Sequence, residues 1–359
     1  MVDKRYLTWK NKIGYGAGDV AGNMVYAFLS TFMMFYLTDT VGMNVGVVGI
    51  LMAASKLLDA LTDLLFGNQL DRTNAKFGKA RPWMLFGYIG CAVMLSAIFM
   101  VPSNWGHKAQ YAYFFITYTL LNAVFYTVNN ISYAALTALI TKNTSERVQL
   151  GSIRYMFAFA STMVIQSWTM DLVSAFGGGS EGWKATAFLY AAIGLAVNTI
   201  SCLCVKELPE DELYMTDLVA IPLPESPCTV SEGFRLLFCN KYFLLVCVIY
   251  ILSHLCQSSL NIGVYYMKYG LGDESLLKLF SACSNIPLIL GLIITPILVR
   301  KLRGMYKLNM AGYAVASVGR IGLIVSAYLG SIPMMLVCTG ISAIGTSPLQ
   351  GGFNALIAA

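Results

Sequence analysis

Long apolar runs alternate with short polar breaks along the whole chain. Runs long enough to cross about 30 Å of hydrocarbon fall near residues 13–38, 45–70, 83–102, 110–140, 151–176, 184–205, 242–267, 275–299, 307–328 and 331–358. Each predicts a membrane-spanning helix, since backbone immersed in lipid must satisfy its hydrogen bonds within its own segment. The stretch from 206 to 240 breaks the pattern with Glu207, Glu210, Asp211, Glu212, Asp217, Glu225 and several prolines. The expected organisation is an N-terminal six-helix half over 1–205, a polar linker over 206–240, and a second half over 241–359 with about four helices.

Composition agrees with this reading. The chain has 359 residues, 57% hydrophobic and 12% charged, against roughly 25% charged in soluble domains. The fold class is therefore an all-α polytopic membrane protein. The net charge of +6 gains meaning from its placement rather than from a nucleic-acid partner. Lys and Arg cluster at 4–12, 72–81, 142–147 and 300–307, joined by Lys206, Arg235 and Lys241 of the linker. With alternating helices all of these share one side, and the opposite loops offer Lys108, Lys184 and Lys268. The positive-inside rule then places the N-terminus and linker in the cytoplasm. No cleavable signal is evident at the N-terminus.

Charges inside the apolar runs narrow the chemistry. Lys56, Asp59 and Asp63 sit in the middle of the second span, where a charged group costs at least ~2.5–3.5 kcal/mol on insertion scales. Asp59 and Asp63 are four apart and share a helix face, with Lys56 on its edge. A carboxylate pair of this kind suits a small cation or a proton. A packing ion pair between Lys56 and Asp59 is the alternative, and it leaves one carboxylate unmatched. In the first span Asp19, Asn23 and Tyr26 form a polar stripe, which suits a central cavity, although Asp19 also fits a wetted helix end. The fourth span carries Tyr126, Thr127, Asn129, Asn130, Ser132 and Tyr133. Such groups suit sugar hydroxyls, and equally helix–helix contacts. Arg154 suits ligand contact or an arginine reaching for the interface. In the seventh span His254, Gln257, Ser258, Asn261 and Tyr265 recur at helical spacing, and Asn285, Gln350 and Asn354 are weaker cavity candidates.

The loop after the second span reads Gly67, Asp71, Arg72, Gly78, Lys79 and Arg81, with a weaker counterpart at Arg300, Arg303, Gly304 and Lys307, which hints at an internal repeat. No enzyme constellation emerges: there are two histidines, no G-x-S-x-G, no P-loop and no cluster at metal-ligand spacing. The nine cysteines lie mostly in apolar runs and read as buried thiols. Without a P-loop, a carrier run by an ion gradient is favoured, with no organic cofactor and no obligate protein partner.

The residues together resemble a family. Tyr15-Gly16-Ala17-Gly18-Asp19-Val20-Ala21-Gly22-Asn23, Tyr36-Leu37-Thr38-Asp39-Thr40-Val41-Gly42, Asp59-Ala60-Leu61-Thr62-Asp63 and Phe77-Gly78-Lys79-Ala80-Arg81-Pro82-Trp83 resemble the glycoside–pentoside–hexuronide:cation symporters of the major facilitator superfamily. The resemblance spans essentially the whole chain and is strongest over 10–155. It implies a major-facilitator-type helical bundle in the inner membrane of a bacterium, with about ten helices here of an expected twelve and hence an incomplete second half. It further implies cation-coupled (Na⁺, H⁺ or Li⁺) carriage of a sugar, glycoside or hexuronide by alternating access. By the same resemblance Asp59, Asp63 and Thr127, with Thr62 beside them, bind the coupling cation, and no other metal is implied. The sugar positions of melibiose-type carriers match Asn23, Asn130, Ala134 and Arg154, of which only the arginine is kept. The remaining substrate candidates are Asp19, Tyr26, His254, Gln257 and Asn261, and the loop residues are conformational. The Gly18–Asn23 stretch looks closer to glucuronide, xyloside and isoprimeverose carriers, and neutral amides beside an arginine tolerate an anionic hexuronide better than a carboxylate pair does. A carrier of a lipid-like solute, an uncoupled facilitator and an inactive partial chain are the alternatives.

Overall fold

A computed structural model of the chain describes residues 5–71, 73, 77–102, 104–209, 265–273, 275–302 and 305–357, with isolated positions between 239 and 255. The described residues form an all-helical bundle. The first expected span is a broken rod: α1 (Trp9–Gly16) and α2 (Gly18–Phe28) meet at Ala17, and wide π-helical turns follow at Leu29–Met33 and Tyr36–Thr40. The helix starts at a capping residue, the Thr8 hydroxyl accepting from the Asn11 amide at 3.3 Å. The second span is one helix, α3 (Val45–Asp71), and the third is α4 (Arg81–Ile98) with Pro82 in its first turn. The fourth consists of α5 (His107–Thr119), a π-helical stretch (Leu120–Tyr126) and α6 (Thr127–Ile140).

The fifth helix, α7 (Thr144–Ala175), begins about two turns before the apolar run does. Polarity hid that start: Glu146, Arg147 and Gln149 are helical but lie outside the hydrocarbon-like stretch. Gly177, Gly178 and Gly179, all at positive φ, turn the chain into α8 (Gly179–Cys204). A π-helical turn at Tyr266–Gly270 leads to α9 (Leu276–Leu302), α10 (Met305–Tyr328) and α11 (Ile332–Ile357), which carries Pro348 inside it. By length and composition, six helical stretches among the described residues can cross a membrane: Val45–Gly67, Arg81–Ile98, His107–Ile140, Gly179–Cys204, Leu276–Thr295 and Lys307–Tyr328. The expected seventh span and most of the polar linker lie outside the described residues.

Two packing devices hold the first eight helices. An aromatic wall joins α2, α4 and α8, with Phe28 and Phe99 stacked at 4.6 Å between centroids, and Trp183 and Tyr190 against them. The Tyr36 hydroxyl donates to the Phe99 carbonyl at 2.9 Å. At the other end the Glu207 carboxylate accepts from the backbone N–H groups of Lys79 (2.6 Å), Ala80 and Arg81 (3.0 Å each). It supplies the acceptors that the first turn of α4 lacks and favours the positive end of that helix. Gly78 (φ +106°) permits this, since a Cβ there would strike the carboxylate. Further on, α10 and α11 approach through small residues: a Cβ on Gly345 would run into the backbone nitrogen of Ala316, and one on Gly319 into that of Ser342. This is the small-residue contact by which helices associate in lipid, where water provides no drive.

Candidate functional site

The charged centre of α3 faces the start of α6. Lys56 Nζ donates to Asp59 Oδ2 at 3.0 Å, and the Thr127 hydroxyl donates to the other oxygen, Oδ1, at 2.8 Å. Asp63, one turn on, lies close enough to interact with Asp59, Lys56 and Thr127. One ammonium, bonded to Asp59, is therefore set against two carboxylates. Thr62 takes a different part, donating to carbonyls of its own helix, Asp59 O at 2.9 Å and Leu58 O at 3.3 Å.

Thr127 has a second acceptor. The π-helical winding before it brings the Asn122 carbonyl, five residues back, to 3.0 Å from its hydroxyl. A hydroxyl owns one proton and two lone pairs, so it serves one acceptor fully at a time. Donating to Asp59 covers an otherwise bare carboxylate oxygen. Donating to Asn122 turns its lone pairs outward, as a cation ligand must. The π segment, a feature frequent at functional sites, makes both arrangements available to one side chain.

A second charged centre lies in the same group of helices. Arg154 on α7 grips Asp19 on α2 with two nitrogens, Nε to Oδ2 at 2.7 Å and Nη2 to Oδ1 at 3.3 Å. The guanidinium lies 4.1 Å from the centroid of the Tyr133 ring, and the Tyr133 hydroxyl donates to the Tyr15 carbonyl (2.7 Å) with Asp19 Oδ2 at 3.1 Å. Asp19 is thus no wetted helix end, and Arg154 is no free arginine reaching for the interface: each is the other's partner. Asn23 extends the group, its amide donating to the Asp19 carbonyl at 2.8 Å and its oxygen accepting from Thr162 at 3.1 Å.

Beside the first centre, with Lys56 in its wall, is a cavity of about 290 Å³, near the lower end for small-ligand pockets. Its polar lining is Tyr26, Ser30, Lys56, Tyr118, Asn122 and Tyr126, with Met33 and Met52 among the apolar groups. Tyr26 and Tyr126 lie nearly parallel, 6.3 Å between centroids. Ser30, Tyr118 and Asn122 escaped the sequence reading. Their signal was present: Tyr118, Asn122 and Tyr126 recur every four residues, as do Tyr26 and Ser30, the spacing that puts side chains on one helix face.

Other expected residues sort differently. Asn130 lies on the exposed side of α6, whereas Asn129 is buried and packs helices, donating to Met84 O at 2.7 Å and to Asn198 Oδ1 at 3.2 Å. Of the residues expected in the loop after the second span, Gly67 and Asp71 are helical, inside α3, and Gly67 has open space beside it; Gly78 and Lys79 join the Glu207 cap, and Arg81, at the start of α4, adds a bond from Nε to Cys202 O at 3.1 Å. Arg72, His254, Gln257 and Asn261 lie outside the described residues, as do the side chains of Asp71, Gln350 and Asn354. Among the described residues no His/Cys/Asp/Glu cluster is arranged to hold a metal.

Contacts that join the first eight helices to the later ones cluster at the face opposite the N-terminus. Asp39 accepts from Lys268 Nζ (2.9 Å) and the Tyr269 hydroxyl (2.6 Å), and Thr38 pairs with Tyr265 at 2.9 Å. Gln166 Oε1 accepts from Ser281 at 2.9 Å, and Lys278 pairs with Asp171.

Residues 14–359 match the family described as MFS/sugar transport protein. The chain is 29% identical to the uncharacterized symporter YnaJ of Bacillus subtilis (strain 168), over 98% of this chain and 74% of that protein. It is 27% identical to the isoprimeverose transporter of Lactiplantibacillus pentosus, over 100% of this chain and 73% of that one. In fold it resembles the xylose transporter XylE from E. coli in a partially occluded inward-open conformation, with a TM-score of 0.60 at 11% identity over 99% of this chain and 87% of that one.

Proposed function

The chain belongs to the MFS/sugar transport protein family, an integral membrane transporter rather than an enzyme, and we propose that it is a symporter moving a sugar, glycoside or hexuronide with a monovalent cation, Na⁺, Li⁺ or H⁺, by alternating access. Asp59, Asp63 and Thr127 hold the cation. The observation that carries this reading is the hydroxyl of Thr127 reaching Asp59 Oδ1 at 2.8 Å from another helix, with Asp63 in range. Oxygens from two helices then converge where one ammonium leaves a carboxylate in excess. The sugar occupies the adjoining cavity against Tyr26, Asn122 and Tyr126.

The cycle follows from these parts. A cation entering between Asp59 and Asp63 displaces the Lys56 ammonium and the Thr127 proton from Asp59. The Thr127 hydroxyl turns to donate to the Asn122 carbonyl instead, keeping its proton, and its oxygen lone pairs complete the cation's shell. The contacts of Asp39, Thr38 and Gln166 with the later helices support a conformation closed at the outer face, with the N-terminus and linker in the cytoplasm. Opening that face requires those contacts to part, and alternating access is the rocking of a six-helix N-terminal half against the second half across the linker.

Uptake of a labelled sugar panel into proteoliposomes, with Na⁺, Li⁺ and H⁺ gradients imposed one at a time, tests the proposal. Accumulation of at least one sugar driven by one gradient is expected, abolished in Asp59→Asn. Gradient-independent movement of every sugar overturns coupling, and a protein whose thermal stability responds to lysolipids and to no glycoside overturns the sugar assignment.

A further inference from the structure

Among the residues lining the 290 Å³ cavity, Lys56 is the one cationic side chain. Its side chain keeps 51% of its surface exposed, while the other polar groups there are tyrosines, an asparagine and a serine. The nearby alternative cation, Arg154, is already held by both oxygens of Asp19, so it offers a ligand little uncompensated charge. Lys56 is also tied to the cation centre through Asp59 Oδ2 at 3.0 Å. One ammonium therefore belongs to both sites.

The geometry points to Lys56 as the residue that selects an acidic sugar, one bearing a carboxylate or sulfonate, and that makes its binding depend on the cation. With the cation site empty, Asp59 engages the ammonium and competes with any anion in the cavity. A cation between Asp59 and Asp63 takes over the neutralisation of Asp59 and leaves the ammonium to the cavity. There it pairs with the acidic group, while the tyrosines and Met33 and Met52 cover the C–H faces of the ring. Cation and anion then each strengthen the other's binding, as linkage requires. The charges balance: an empty centre of Lys56, Asp59 and Asp63 carries one excess negative charge, and so does the centre holding one monovalent cation and one monoanionic sugar. The inference deepens the symport reading and rests on it.

The test uses two probes that differ at one carbon, 4-nitrophenyl glucuronide and 4-nitrophenyl glucoside, with the protein in phosphatidylcholine vesicles. The wild type is expected to bind the glucuronide more tightly, and more so as the coupling cation is raised. Lys56→Gln should reduce the glucuronide-to-glucoside preference by about tenfold or more, the size of a lost charge-assisted hydrogen bond, and remove its cation dependence. Lys56→Arg should keep most of both. A preference that survives Lys56→Gln in a variant that melts like the wild type overturns this inference alone. Binding of neither probe at any cation concentration overturns the sugar reading and this inference with it. A preference that disappears when phosphatidylglycerol replaces phosphatidylcholine assigns the ammonium to a lipid headgroup and overturns it too.

Discussion

Two charged centres lie in one group of helices, and they are built on opposite plans. Around Asp19 and Arg154 every charge is matched: two carboxylate oxygens meet two guanidinium nitrogens, a tyrosine ring covers the cation, a tyrosine hydroxyl reaches the carboxylate, and Asn23 bonds the Asp19 backbone carbonyl. Around Asp59 the match is incomplete. One ammonium, bonded to Asp59, stands beside two carboxylates, and a single hydroxyl proton lies between two acceptors. Both centres must offset the cost of charge in lipid. The first does so with fixed partners and becomes a brace. The second leaves a place for a partner that arrives and departs, which is what a coupled carrier requires.

The comparison can be broken most directly at the second centre. Asp59→Asn and Asp63→Asn should each reduce cation-driven accumulation to that of cation-free vesicles, while the melting temperature in detergent changes little. A large loss of stability would mean that these carboxylates are braces as well. At the first centre the reverse is expected. Arg154→Ala leaves Asp19 without its cation and should cost ~3 kcal/mol, the low end for breaking a buried pair, because Arg154 and Asp19 retain 22% and 18% of their side-chain surface. The double variant Asp19→Asn, Arg154→Gln should recover most of that loss, whereas a sugar-binding role for the arginine would leave transport absent even in the stable double variant.

A smaller effect separates the two duties of Thr127. Thr127→Val removes both the proton and the lone pairs and should weaken cation binding about tenfold, the order of one hydrogen bond to a charged group. Thr127→Ser should restore it. Loss in Thr127→Ser with none in Thr127→Val, read by cation titration of sugar binding, would show that the methyl group matters and not the hydroxyl.

Thr127 is singled out by the family resemblance alone, whereas Asp59 and Asp63 stand out in the sequence because charge in an apolar helix is costly and helical spacing shows which charges share a face. The helices themselves were legible for the same reason. Pairings between distant segments were not. Asp19 and Arg154 are 135 residues apart, and nothing in either helix's pattern says that they meet. Glu207 counts as one more acid in a polar stretch until its carboxylate is seen on the first turn of α4. The π-helical winding at Leu120–Tyr126 is equally hidden, since an added residue per turn leaves an apolar run looking the same. It is the feature that brings the Asn122 carbonyl to Thr127.

Glu146 offers the subtlest test, because it is a matched centre placed ahead of the span that begins near residue 151. Its carboxylate accepts from the Thr141 hydroxyl (2.7 Å) and the amides of Tyr6 and Leu7 (3.2 and 3.3 Å), with Lys12 Nζ at 3.2 Å. Burial raises its pKa, but the bonds from Thr141, Lys12, Tyr6 and Leu7 outweigh that and hold it below the ordinary 4.5. The stability it contributes is therefore complete above the ordinary value and lost as pH falls through the lower value of the folded protein. Asp39 is also depressed: burial raises it, while Tyr269, Lys268 and Thr38 lower it further. The wild-type profile in acid thus mixes both groups, and the difference between wild type and Glu146→Gln isolates one. That difference in melting temperature should be largest at neutral pH and shrink steadily below pH 4.5. A difference that stays constant in acid would mean that Glu146 contributes by shape rather than by charge, and that its cluster is a third kind of centre.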